Sequence, residues 1–302
     1  MLKAKKAAGI FPAALSEIMK KTLLLLLAIF LSASGLAAAT LKTFEMESKI
    51  LNSKRTYAVL FPDAYESETN TFFPVLYTLH GLGDQPTSWY KNIPMADIME
   101  EMIKKGEIKP FIMVTVQAMG NDDKEGIGYF DQPGWKAQTF YFEEFIPEIE
   151  KQFRVRKDKG GRSLTGISMG GGGALSYAFQ HPEMFSSVYA MSPWVNSTRW
   201  YPEAPFGTPL FNLGRSVLAF DTANFIRRAN EEKKAQLRTV KWFVHIGDDD
   251  FLFECASDFH TAMRDAGIPD EFRVADGNHS WYYWNKIAPE MLKFTSDNFK
   301  GE

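Results

Sequence analysis

Arg162-Ser163-Leu164-Thr165-Gly166-Ile167-Ser168-Met169-Gly170-Gly171-Gly172-Gly173 is the stretch on which the fold turns. Gly166-Ile167-Ser168-Met169-Gly170 fits G-x-S-x-G, a sharp strand-to-helix turn that lifts a serine hydroxyl clear of a sheet. The flanking glycines remove side chains that would collide there. With Gly and Ser each at about 7%, chance alone yields this pattern in about one chain in ten of this length, so context must support it. Ser163 to Ile167 reads as a buried strand and Ala174 to Phe179 as a helix, whose N-terminus places a positive dipole end by the serine. Four successive glycines weaken a helix, which points to close backbone approach by a neighbouring strand. A phosphate-binding loop is the competing reading of that run, but no G-K-[ST] follows it.

Acyl transfer needs two N–H groups aimed at a developing oxyanion. Val75 to Leu79 reads as a buried strand running into His80-Gly81-Leu82-Gly83, so the backbone N–H groups of Leu82 and Met169 are the candidate pair; an ordinary strand-to-helix turn is the plain alternative. On a fold built around this strand-to-helix turn the chain order is Ser, acid, His. Of five histidines, His80 falls in the oxyanion loop, His181 at a helix end, His245 in a strand and His260 in an amphipathic helix. His279, in Asp276-Gly277-Asn278-His279-Ser280 between the last strand and a helix, stands where the base belongs. Val240 to Ile246 runs into Gly247-Asp248-Asp249-Asp250, and three adjacent carboxylates repel one another. Asp250 is the chosen acid, with Asp249 in reserve and the others capping the turn or the next helix. An acidic calcium loop lacks the required ligand spacing, and no metal is expected.

Outward from these turns, β-rich runs alternate with amphipathic stretches, predicting a mostly parallel central sheet with helices on both faces. Phe44 to Ile50 and Arg55 to Phe61 form an antiparallel edge pair, and Phe111 to Val116, Ser186 to Met191 and Glu271 to Val274 complete the strands. Helices are expected over Ala96 to Lys105, Tyr141 to Phe153, Gly170 to Gln180, Cys255 to Ala266 and Ala288 to Phe299. Pro193 to about Arg238 breaks the rhythm after the sixth main strand, as a lid-like insertion would. Its Trp194, Trp200 and Tyr201, with Trp281, are candidate substrate contacts or plain surface packing.

At 302 residues, 45% apolar and 14% aromatic, the chain can bury one large core. Its net charge of -3 includes no basic stripe, which argues against nucleic acid. Lys20-Lys21, the apolar run Leu23 to Leu31 and Ala37-Ala38-Ala39 read as a signal peptide over residues 1–39, rather than a retained anchor, with Met19 an alternative start. Cleavage would leave residues 40–302 as one exported domain, periplasmic or extracellular, with net charge -7 and no stable membrane insertion. The single cysteine, Cys255, excludes an intrachain disulfide and reads as a small buried residue.

Taken in order, Leu79-His80-Gly81-Leu82-Gly83, Gly166 to Gly171, His181-Pro182-Glu183-Met184-Phe185, Gly247 to Leu252 and Gly277-Asn278-His279-Ser280-Trp281 resemble the esterase D and feruloyl esterase-like family of α/β-hydrolases. The resemblance spans essentially the whole chain after residue 39 and implies the α/β-hydrolase fold. It also implies a serine carboxylic-ester hydrolase with a Ser168-His279-Asp250 triad and no cofactor, since the family's acid is the last residue of G-x-x-D. Asn278 departs from the glycine commonly found before the histidine. An exported member implies removal of feruloyl or acetyl groups from plant cell-wall xylan. Alternatives are a siderophore esterase, an S-formylglutathione-type thioesterase and a non-catalytic glycan-binding relative; the oligomeric state is left open.

Overall fold

The computed structural model describes residues 39–120, 126–196 and 204–300. The expected signal segment apart from Ala39, and Trp200 and Tyr201, lie outside them. Eight strands form one sheet: β1 (Thr40–Ser48), β2 (Ser53–Phe61), β3 (Val75–Leu79), β4 (Ile112–Val116), β5 (Arg162–Ile167), β6 (Ser187–Met191), β7 (Lys241–Gly247) and β8 (Glu271–Ala275). Their spatial order is β1-β2-β4-β3-β5-β6-β7-β8. β2 pairs antiparallel with both β1 and β4, and every other neighbouring pair is parallel. This is the mostly parallel sheet of the α/β-hydrolase fold, with the antiparallel edge pair where the sequence predicts it.

Strand alternation sorts the core. Val75, Tyr77 and Leu79 face one layer, and Leu76 faces the other. The first layer is closed by α2 (Ile146–Gln152), α3 (Met169–Gln180) and α7 (Phe253–Asp265). The second is closed by α1 (Met95–Lys104) and α8 (Trp281–Asn298). β3 to β6 are buried along nearly their whole length, so burial on both faces replaces the in-and-out alternation of a one-sided sheet. Each fully buried Leu, Val or Phe contributes roughly 1.5–3 kcal/mol.

Two helices differ from expectation. The helical stretch expected over Tyr141 to Phe153 begins at Ala137 and contains a π-helical turn, Tyr141–Phe145, before α2. α8 starts at Trp281, seven residues before the expected Ala288, because Ser280 caps it by accepting from the Tyr283 N–H (3.4 Å). Pro289 lies inside that helix. The expected insertion folds, in its described part, as α4 (Pro209–Ala219), α5 (Thr222–Arg228) and α6 (Glu231–Leu237). Thr208, Asp221 and Asn230 cap these three through their side chains. Among the described residues no helix is long and apolar enough to cross a membrane.

Candidate active site

β5 ends at Ile167, and the chain turns back into α3 through Ser168, whose φ of 56° and ψ of -118° place it in territory that L-residues avoid. Such a conformation costs of order 1–3 kcal/mol and persists only where surroundings enforce it. Here the Ser168 N–H donates to Met191 O (3.0 Å), and Ser168 O accepts from the N–H groups of Gly172 (3.1 Å) and Trp194 (2.9 Å). The glycines are sterically required. A methyl group at Gly166 would lie 2.1 Å from Gly170 O, and one at Gly170 would lie 2.2 Å from Leu79 O. At Gly172 it would lie 2.0 Å from Trp194 O. The glycine run therefore lets the Ser168 turn press against the end of β3 and the loop after β6.

The other groups arrive from the same sheet edge. His279, in the loop between β8 and α8, has Nε2 2.9 Å from Ser168 Oγ. Its Nδ1 is 3.0 Å from Asp250 Oδ1 and 2.9 Å from Oδ2. Asp250 follows β7 and is 4% exposed, and its Oδ1 also accepts from the Leu252 N–H (2.9 Å). With Nδ1–H facing a carboxylate, the Nε2 lone pair is left to accept the serine proton.

The remaining aspartates differ in position. Asp248 Oδ1 accepts from the Gly277 N–H (3.0 Å), and the N–H groups of Asp248 and Asp249 donate to Ala275 O and Gly277 O (3.0 Å each). Three hydrogen bonds thus tie the Asp250 turn to the end of β8 and the His279 loop. Both of these side chains are exposed, whereas that of Asp250 is enclosed against His279.

The His80 loop lies beside the serine: a methyl at Gly81 would be 3.8 Å from Ser168 Cβ. His80 is buried, donates from Nδ1 to Gly81 O (2.8 Å) and accepts at Nε2 from the Ala118 N–H (3.0 Å). Burial pulls its pKa down to about 4, so it is a neutral brace for the loop. Leu82 is half-buried against the core. Met169 is the first residue of α3, whose leading N–H groups have no acceptor within the helix.

His181 contacts Glu183 (3.2 Å), His260 contacts Asp270 (2.9 Å), and His245 lies buried in β7 with its Nδ1 2.7 Å from the Tyr189 hydroxyl. None of these three meets the serine. Trp194 is 3% exposed within the core, and Trp281 is partly buried, edge-on to Trp89 and Trp284. Two rings that sequence reasoning did not single out flank His279: Trp284 edge-on at 5.0 Å between centroids, and Phe251 at 4.4 Å. An aromatic directly after the acid was the available signal for Phe251. From the insertion, Leu213 of α4 comes so close to Gly128 that a methyl there would lie 2.6 Å from its Cδ1 and 3.5 Å from Met169 Sδ.

A solved ferulic acid esterase is 41% identical, with a TM-score of 0.84 over 87% of this chain and 99% of that one. An endo-1,4-beta-xylanase/feruloyl esterase of Xylanibacter ruminicola is 40% identical over 114 residues, 37% of this chain and 15% of that protein. An esterase of Mycobacterium tuberculosis is 26% identical over 273 residues, 79% of this chain and 54% of its own length. The chain thus spans about half or less of these two curated relatives. The Esterase family model matches residues 48–295, so the chain belongs to that family and is a serine esterase of its feruloyl esterase-like kind.

Proposed function

We propose that this chain is an exported feruloyl esterase acting on feruloylated plant cell-wall xylan, with Ser168 as nucleophile, His279 as base and Asp250 as the acid that orients it. The observation that carries this reading is the position of His279, with Nε2 2.9 Å from Ser168 Oγ and Nδ1 2.9–3.0 Å from the Asp250 carboxylate. The likeness to a ferulic acid esterase over most of both chains favours feruloyl over acetyl groups. Export rests on the lysines, apolar run and alanines of residues 20–39.

The reaction proceeds in two halves. As Ser168 Oγ attacks the ester carbonyl, its proton passes to His279 Nε2, and the carbonyl oxygen becomes an oxyanion facing the N–H groups of Leu82 and Met169. Collapse breaks the acyl–oxygen bond, and His279 returns the proton to the departing alkoxide, leaving a feruloyl ester on Ser168. Water then attacks with the same base, releasing ferulate and restoring the serine hydroxyl. Asp250 holds the imidazole tautomer and stabilises its cation throughout.

The test compares wild type with Ser168→Ala on methyl ferulate, p-nitrophenyl acetate and acetylated xylan, using folded protein. Ferulate release that the variant loses supports the reading. Unchanged activity in the variant overturns the nucleophile, and acetate release without ferulate release overturns the substrate.

A further inference from the structure

Phe251 stands between the buried acid Asp250 and the core residue Leu252. The backbone on either side is fixed by Leu252 N–H to Asp250 Oδ1 (2.9 Å) and Phe253 N–H to Asp250 O (2.9 Å). Phe251 is nonetheless 50% exposed, while its ring lies against the imidazole of His279, centroids 4.4 Å apart and planes inclined by 46°. The other ring on His279, Trp284, is 5% exposed and anchored by Nε1–H to Ser192 Oγ (2.9 Å). Of these two rings, therefore, Phe251 is the one that touches both the imidazole and solvent.

Proton balance gives that position a meaning. In the acylation half-reaction the proton on His279 Nε2 must reach the alkoxy oxygen of the alcohol, so the alcohol part of the ester must lie against the imidazole as the bond breaks. Any bulky alcohol part must then meet what borders the imidazole on its solvent side. A half-exposed flat ring beside a sugar gains apolar contact with the sugar's C–H face.

Resting on the reading of the chain as a feruloyl esterase, we propose that Phe251 is the leaving-group platform. On it the carbohydrate ring that carries the feruloyl ester stacks, and it selects esters of sugars over esters of small alcohols. The ring acts by direct contact with the alcohol half, separate from the oxyanion groups and from Asp250.

The test measures kcat and KM of wild type, Phe251→Leu and Phe251→Ala on methyl ferulate and on a feruloylated arabinoxylo-oligosaccharide, with the pH profile on methyl ferulate. Leucine keeps apolar bulk over His279 and guards against a folding failure of the alanine variant. Both variants are expected to lose roughly tenfold in kcat/KM on the oligosaccharide, mainly through KM. On methyl ferulate they should stay within about twofold of wild type, with an unmoved pH profile. Equal losses on the two substrates, or a shifted pH profile, would mean that the ring merely supports His279 and would overturn the platform; so would unchanged values on both. A wild-type protein that releases no ferulate from either substrate sinks the feruloyl esterase reading itself, and the platform with it.

Discussion

Gly247→Ala tests whether the acid turn and the base loop work as one unit. Gly247 ends β7, and a methyl group there would lie 2.1 Å from Gly277 O, 2.4 Å from Gly277 C and 3.0 Å from Asn278 N. Those atoms are backbone and cannot swing aside. Restoring ordinary contact, about 3.5 Å, forces the end of β7 and the loop after β8 apart by roughly 1.4 Å. The shift falls on Gly277, two residues before His279, and stretches the Asp249 N–H to Gly277 O bond of 3.0 Å. A misplacement of about 1 Å in catalytic geometry costs on the order of 10²-fold in rate, and at 1.36 kcal/mol per tenfold that is about 2.7 kcal/mol of barrier. Overpacking costs a further 1–3 kcal/mol of stability or so, which leaves most domains folded. The assay is kcat/KM on p-nitrophenyl acetate and methyl ferulate beside a thermal melt. A folded variant within about threefold of wild type would refute the argument that this glycine sets the distance between acid and base.

Three further outcomes follow from the same geometry. Asp250→Asn should lower kcat by roughly 10⁴, by disturbing the tautomer and charge on His279, whereas Asp249→Asn, at an exposed position, should stay within a few-fold; the reverse ranking in steady-state assays would move the acid to Asp249. Burial holds His80 at about 4 against an ordinary histidine value of 6.5, so the unfolded chain takes up a proton that the folded one refuses. Its stabilising contribution is present above pH 6.5 and is lost as pH falls towards 4, and the slope of melting temperature against pH in that window should flatten in His80→Gln; an unaltered slope would remove His80 as its source. Burial also pushes the Cys255 thiol up to about 11, and that thiol donates to Asn196 O. A disulfide reagent at pH 8 should therefore leave native protein unlabelled and modify one thiol per chain in guanidinium, and prompt native labelling would contradict the buried placement.

Strands β3 to β8 were legible to within a residue because runs such as Val75 to Leu79 and Ile112 to Val116, buried on both faces, are mostly apolar and bounded by turns, whereas the exposed β1 begins at Thr40, four residues before the expected Phe44. The sharp turn at Ser168 was legible because its glycines answer a local steric demand. Choosing among three aspartates was harder: which carboxylate turns inward depends on the hydrogen bonds of Asp248 and Asp249 with Gly277, a contact across about 29 residues of sequence that no local pattern encodes. The early start of α8 was hidden by Pro289, which reads as a helix boundary, although Ser280 had already capped the helix upstream. The π-helical turn at Tyr141–Phe145 leaves no mark in the apolar periodicity. Phe251 escaped notice because exposed aromatics are common and only the fold brings His279 beneath one.

The order of the sheet also governs how this protein fails. Ser168 follows β5, which is hydrogen-bonded between β3 and β6 in the middle of the sheet, whereas His279 follows β8, the outermost strand, which has β7 alone as a neighbour and leaves Glu271, Arg273 and Val274 exposed. Local opening starts where backbone pairs are fewest and most accessible to water. Mild heat or denaturant should therefore peel His279 away from a Ser168 turn that is still intact, and amide hydrogens around Arg273 to Ser280 should exchange well before those of Leu164 to Ser168. Inactivation would then precede unfolding and reverse on cooling.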